Sequence, residues 1–170
     1  MSDGIQLRLA SPDDADAIAS VLHQAFREFQ HLYTPEGFAA TTPSPQQIHG
    51  RFHQGPVWIA KSDNRIVGTA AAMPEENVLY IRSVAVLPPY AGHGIGKLLL
   101  EQIEQFAKSA GYNQLLLTTT PFLTAAIHLY ERVGFRHLED GPRDLFGTPL
   151  LAMAKDLFPR STLPPSAQAV

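Results

Sequence analysis

The chain has 170 residues, 45% of them apolar and 17% charged, with a formal net charge of −3 and no cysteine. That length and composition suit one globular domain with a sizeable core, and the mild acidity without a basic run argues against nucleic acid or an anionic membrane as partner. Disulfides, thiolate zinc sites and thiol catalysis are excluded, and with no apolar run of about 18 residues and no signal-like start the expected location is cytoplasmic.

In chain order, Ile5, Leu7 and Leu9 alternate with Gln6 and Arg8, which predicts a half-buried strand. Ser11-Pro12-Asp13-Asp14 then supplies an N-cap, a first-turn proline and two acids that favour the helix dipole. Ala15, Ile18, Ala19, Leu22 and Phe26 follow at helical spacing. Residues 29–45 are rich in aromatics, Thr, Gly and Pro and read as a loop or broken helix, and a short helix follows from Ser44. Val57–Lys61 and Arg65–Ala72 form a hairpin across Asp63-Asn64. A turn at 74–77 leads into a strand from Val78 to Val86. A helix begins near Gly94 and ends at Gly111, with Ile95, Leu98, Leu99, Ile103, Phe106 and Ala110 on one face. Gln114–Thr118 is a short strand and 121–133 a helix stopped by Gly134. Residues 135–139 and 150–155 pair as a last hairpin. The expected domain is 1–158, with 159–170 a polar, proline-bearing tail.

The stretch Ser83 to Leu100 organises the rest. A strand (Val84, Ala85, Val86), a Pro88-Pro89 break and glycines at 92, 94 and 96 open onto a helix. First-turn amides have no intrahelical partner, and the dipole favours an anion there. Two familiar phosphate loops do not fit. A P-loop would need glycine at Ala91 and a hydroxyl at Leu98, and a dinucleotide fingerprint would need glycine at Lys97 or Leu99. The stretch instead resembles motif A of the GCN5-related N-acetyltransferases (GNAT), [QR]-x-x-G-x-[GA], with Gly94 and Gly96 at the small positions and Ala91 where Gln or Arg is usual. Ala126 to Phe135 (AIHLYERVGF) is similar to the family's motif B, A-x-x-L-Y-x-x-x-G-F, at the expected distance downstream.

The resemblance implies an α/β fold: a mixed, mostly antiparallel sheet with helices on both faces and a splayed parallel pair at strands four and five. It implies acetyl transfer from acetyl-coenzyme A, as cosubstrate and without a metal, to a primary amine of a small molecule or peptide by direct attack. The coenzyme-binding residues expected are Val84, Ala85, Val86, Gly92, His93, Gly94, Ile95, Gly96 and Lys97. Tyr130 matches the family's general acid, and Leu123 stands where an Asn is frequent. For the base the sequence offers Glu75 and Glu76, with His128 as another candidate; Glu76 is taken. Phe29 and Tyr33, in the aromatic stretch 26–38, are the expected acceptor contacts, with Glu28 or Glu36 to hold a cationic amine. His49 and His53 lack a third ligand, so no metal is expected. A homodimer is compatible with the sequence. The alternative is a non-catalytic acyl-coenzyme A-binding module on the same fold.

Overall fold

The computed structural model describes residues 4–158, so the expected tail from 159 onward lies outside the described residues. The chain runs β1 (Ile5–Leu9), α1 (Ala15–Phe26), α2 (Pro35–Thr41), α3 (Pro45–Arg51), β2 (Val57–Ser62), β3 (Arg65–Glu75) and β4 (Val78–Val86). It continues through α4 (Ile95–Ala110), β5 (Gln114–Thr119), α5 (Thr124–Arg132), β6 (Arg136–Leu138), β7 (Asp144–Leu145), β8 (Thr148–Pro149) and β9 (Leu151–Asp156). Seven strands make one sheet in the order β1-β2-β3-β4-β5-β9-β6, and β7-β8 is a separate small hairpin. The final pairing of β6 with β9 is antiparallel as expected, with β9 inserted between β5 and β6.

The entry to α1 shows how local chemistry fixes the first corner. Asp14 accepts from the Ser11 backbone N–H at 2.8 Å and from both terminal nitrogens of Arg8 at 2.8 and 3.0 Å. These bonds tie the end of β1 to the 3₁₀ turn that precedes α1. The Arg8 hydrogen bonds are the main reason the Asp14 carboxyl titrates below its ordinary value, against an opposing push from burial. Asp14→Asn is expected to cost about 1–2 kcal/mol, the low end for bonds to a charged group because Arg8 is 44% exposed and screened. A group whose folded pKa is depressed stabilises above its unfolded value, near 3.9, and loses that contribution as pH falls through the folded value. Urea unfolding of the variant should therefore differ from the parent at pH 7 and converge with it in acid.

The core lies between the sheet and its helices. Ile18 and Leu22 from α1, Leu79 and Ile81 from β4, Leu99 and Ile103 from α4, and Leu115 and Leu117 from β5 are all buried. Each such side chain contributes about 1.5–3 kcal/mol relative to exposure. Gly94 (φ 80°) and Gly111 (φ 86°) cap α4 in the left-handed region, where a Cβ is strained.

Segment 29–45 is the broken helix among the two expected alternatives. Arg27–Leu32 extends α1 as a 3₁₀ helix, and α2 is a true helix. The Thr34 hydroxyl caps α2 by accepting from the Gly37 N–H at 3.0 Å, and Pro35 takes the first position. The helix is held from far along the chain. Thr34 N–H donates to Thr148 Oγ1 at 2.9 Å, and a Cβ at Gly37 would collide with that hydroxyl. Such a helix has almost no apolar stripe of its own.

The parallel pair at the centre positions the functional site. Strands β4 and β5 pair only from Val78–Gln114 to Ile81–Leu117. On the other edge of β4, Ala85 sits opposite Thr69 but Arg82 opposite Ala71, so β4 carries one extra residue there. Ser83 takes that bulge with φ 57°. A bulge bends its strand and ends local pairing. From Arg82 to Val86, β4 therefore runs free of β5, which is the splay the resemblance implied.

Candidate active site

A cavity of about 700 Å³ opens between the free end of β4, the glycine turn and α5. Val84, Ala85 and Val86 form one wall, Gly92, Gly94, Ile95, Gly96 and Lys97 the mouth, and Leu123, Leu129 and Tyr130 the facing wall. Ala25, Phe26, Glu28 and Phe29, from the end of α1 and the turn beyond it, close one side. The β4 wall keeps unpaired backbone groups on its β5 side, because the ladder has ended at Ile81.

At the mouth, Leu98 is the residue whose N–H returns to the Gly94 carbonyl, at 3.1 Å. The amides before it in the first turn have no helical acceptor. Gly92 and Gly94 both have positive φ, and a Cβ built on either meets open space. The turn thus presents N–H groups without helical acceptors at the positive end of α4, chemistry that fits a pyrophosphate. Gly96 has a different job. A Cβ there would come within 2.9 Å of Leu129 Cδ2, so this glycine lets α4 and α5 approach closely. Lys97 is exposed and 3.9 Å from Glu101, and it adds a screened positive charge.

Tyr130 lies on the buried side of α5 with 7% of its surface exposed, its ring 5.9 Å from that of Phe135 in a T-shaped contact. Its backbone carbonyl accepts from the Phe135 N–H at 2.9 Å, closing the turn at Gly134. Burial drives the phenol well above its ordinary pKa, and the nearby Tyr33 adds to the shift. The phenol therefore stays protonated at neutral pH. Tyr130 lines the cavity, and a protonated phenol is a hydrogen-bond donor.

The other predicted residues divide. Phe29 lines the cavity and stacks near Phe122, their centroids 6.3 Å apart. Tyr33 does not line it. The ring packs edge-on against Phe122 at 4.9 Å and beside Phe38 at 5.8 Å, leaving 8% exposed. His93 is exposed beside the glycines and off the cavity wall, and His128 points to solvent on α5. Glu76 is the clear departure. It occupies the β3–β4 turn with φ 55°, ahead of the paired end of β4. Val84 lies six residue steps along the strand from Val78, about 20 Å at the usual rise. The Glu76 carboxylate thus sits at the wrong end of the strand to meet a group bound at Val84. Glu28 is the acidic side chain on the cavity wall.

Sequence reasoning missed Phe122 and Leu129, whose signals were ordinary apolar residues in the motif B region. It also missed Arg51 and Arg82, which are anchored around the Ser83 bulge. Among the described residues no cluster of three or more His, Asp or Glu could hold a metal ion, and no helix is long and apolar enough to cross a membrane.

Comparison with known proteins agrees with this arrangement. A family model described as "Acetyltransferase (GNAT) family" matches residues 20–135. The uncharacterized N-acetyltransferase YjgM of Escherichia coli K12 is 27% identical over 139 residues, 78% of this chain and 83% of that protein. Human N-acetylaspartate synthetase is 35% identical over 105 residues, 59% of this chain but only 34% of that protein. Among solved structures, the PaiA N-acetyltransferase of Thermoplasma acidophilum in complex with coenzyme A superposes with a TM-score of 0.77 at 18% identity, covering 89% of this chain and 98% of that one. Since the family match spans well over half of the sequence and includes both the glycine turn and α5, the chain belongs to the GNAT family of acetyltransferases and is an enzyme of the N-acetyltransferase class.

Proposed function

We propose that residues 1–158 form one cytoplasmic acetyltransferase domain that moves an acetyl group from acetyl-coenzyme A to a primary amine of a small molecule or peptide. The observation that carries this reading is the coincidence, in one cavity, of three features: the unpaired end of β4, the open glycine turn and the Tyr130 phenol. The cosubstrate supplies the activated acetyl group. The chain's own residues would hold it along its length. Amides of the first turn of α4 take the pyrophosphate, and the free backbone of Val84 and Val86 pairs with the amide-bearing arm as a further strand would.

Four tasks remain for the acyl end: placement, an oxyanion donor, proton loss from the amine and protonation of the leaving thiolate. The Val84 N–H serves as the oxyanion donor. Tyr130 serves the thiolate, since a thiol near 8.5 and a neutral phenol make that donation inexpensive. Glu28 attracts the cationic amine, and through water it is the acid placed to take the amine proton. The name of the N-acetylaspartate synthetase relative supports a small-molecule acceptor.

The test is release of free thiol from acetyl-coenzyme A with a panel of primary amines. Turnover with any of them is the expected result. Thermal stabilisation by acetyl-coenzyme A with no turnover on a broad panel would instead support a binding module.

A further inference from the structure

Two arginines are anchored around the β4 bulge, and neither has a carboxylate partner among the described residues. Arg51, the last residue of α3, donates from Nη1 to the Ser83 hydroxyl at 3.0 Å. Arg82, the residue before Ser83, donates from Nη2 to the Gln54 side-chain carbonyl. Both partners are neutral. Neither arginine belongs to an ion pair among the described residues, although six other such pairs occur there. The Arg82 Nε is buried and has no hydrogen-bond partner.

Such an arrangement is costly as it stands. Both side chains are half-buried, a setting in which a charge gains from a counter-charge and like charges in proximity repel. Burial and then the charge of Arg82 push the Arg51 guanidinium down to about 10, and Arg82 is lowered by burial too. Two cations elsewhere in the chain show the contrast, the exposed Arg8 and the partly buried Lys155. Arg8 meets Asp14 at 2.8 Å, and Lys155 meets Glu104 at 2.9 Å. The Arg51–Arg82 site lacks what those sites have, an anion.

Its position says which anion. Arg82 and Val84 flank the bulged Ser83, and two residues of extended backbone span about 6.5 Å. With the pyrophosphate at Gly92–Lys97 and the arm running back along Val86 to Val84, the acyl end arrives beside Ser83. Ser83 and the two arginines lie outside the residues that line the cavity, next to its Val84 wall, so an acceptor that puts its amine at Val84 directs its own substituents toward them. Planar, many-donor guanidinium matches a carboxylate, and each of the two spends a terminal nitrogen on a neutral partner and none on a carboxylate.

We propose that Arg51 and Arg82 bind a carboxylate of the acceptor, so that the substrate class is a small amino carboxylate of the amino-acid type. This rests on the acetyltransferase reading above for the position of the amine, but the anion site itself does not. Arg82 and Arg51 are then specificity-determining residues. They contact the acceptor's carboxylate and not the reacting atoms.

The experiment has two arms. In the first, the parent protein is titrated with glutarate and, separately, with its neutral diamide, while thermal stability is followed. Glutarate should raise the melting temperature and the diamide should not. Arg51→Gln/Arg82→Gln should lose the glutarate response yet keep the response to acetyl-coenzyme A. In the second, acetyl transfer is measured on amino acids and on their carboxamides, which share the α-amine. The acids should exceed their amides by roughly 10- to 100-fold in kcat/KM, the loss expected when a charged partner goes missing. Arg82→Gln should abolish that preference through acceptor KM while leaving KM for acetyl-coenzyme A unchanged. No glutarate response in the parent, or equal use of acids and amides, overturns the proposal. An Arg-dependent glutarate response in a protein that ignores acetyl-coenzyme A would keep the anion site and overturn the transferase reading instead.

Discussion

Tyr130→Phe is expected to bind acetyl-coenzyme A like the parent but to turn over roughly 10²- to 10⁴-fold more slowly, the range for loss of a general acid. The ring of Tyr130 packs against Phe135 and is buried on α5, so phenylalanine keeps the contact and removes one hydroxyl. At neutral pH stability should change little. In alkali it should diverge, and the sign follows from burial. The folded protein raises the Tyr130 pKa above the ordinary value near 10, so it holds a proton that the unfolded chain releases. The contribution is complete below pH of about 10 and is lost as pH rises through the folded value. Tyr130→Phe has no such proton to lose, and its stability should fall less steeply above pH of about 10. Single-turnover kinetics and urea unfolding across pH check both parts. Parent-like turnover would make Tyr130 a core residue only, and a steep rise in the Kd for acetyl-coenzyme A would make it a binding residue.

The sheet was largely legible because its strands carry local signals. Ile5-Gln6-Leu7-Arg8-Leu9 alternates, Asp63-Asn64 forces a hairpin, and the run from Val78 to Val86 ends at prolines. The glycine turn was legible for the same reason, since spacing alone separates it from other phosphate loops. What failed was everything set by distant contacts. Helix α2 is held by Thr148, over a hundred residues downstream, through Thr34 and Gly37. Tyr33 is an expected acceptor contact by sequence, but Phe122, from the segment after β5, covers its ring.

Glu76 failed for a geometric reason. In sequence it stands just before β4, at the end that pairs with β5. A strand has two ends, and the splay forms at the one that the bulge frees. Neither the bulge at Ser83 nor the arginine pair beside it has a period to read. Ser83 is an ordinary strand residue by type, and its φ of 57° appears only once β3 is seen pairing on both sides of it. Arg51 and Arg82 are thirty-one positions apart and are brought to one place because the Arg51 side chain, at the end of α3, reaches the Ser83 hydroxyl. The coenzyme half of the site was therefore readable and the acceptor half was not. The first is built from a contiguous turn, and the second from three separate segments.

The glycine turn provides the second large effect, and comparing two substitutions isolates its cause. Gly94→Asp should weaken acetyl-coenzyme A binding by about 10³-fold, while Gly94→Asn should weaken it far less. Both side chains enter the same open space, since a Cβ at Gly94 meets nothing within 4 Å. Both tolerate the left-handed conformation that φ of 80° demands, and both are good N-caps for α4. Fold and helix should therefore survive in each, with a similar small loss from strain. They differ in charge alone. A carboxylate about 4 Å from a phosphate oxygen at an effective dielectric near 20 costs roughly 4 kcal/mol, which corresponds to the 10³-fold loss. Because the turn is exposed, added salt should shrink the gap between Asp and Asn, more so as the Debye length falls below about 10 Å. Isothermal titration of both variants at two salt concentrations measures it. Equal affinities for Asp and Asn would mean that no phosphate approaches Gly94, and the cosubstrate's pyrophosphate would have to lie elsewhere in the cavity. A gap between them that ignores salt would point to a steric or conformational origin, and the electrostatic account of the turn would fail.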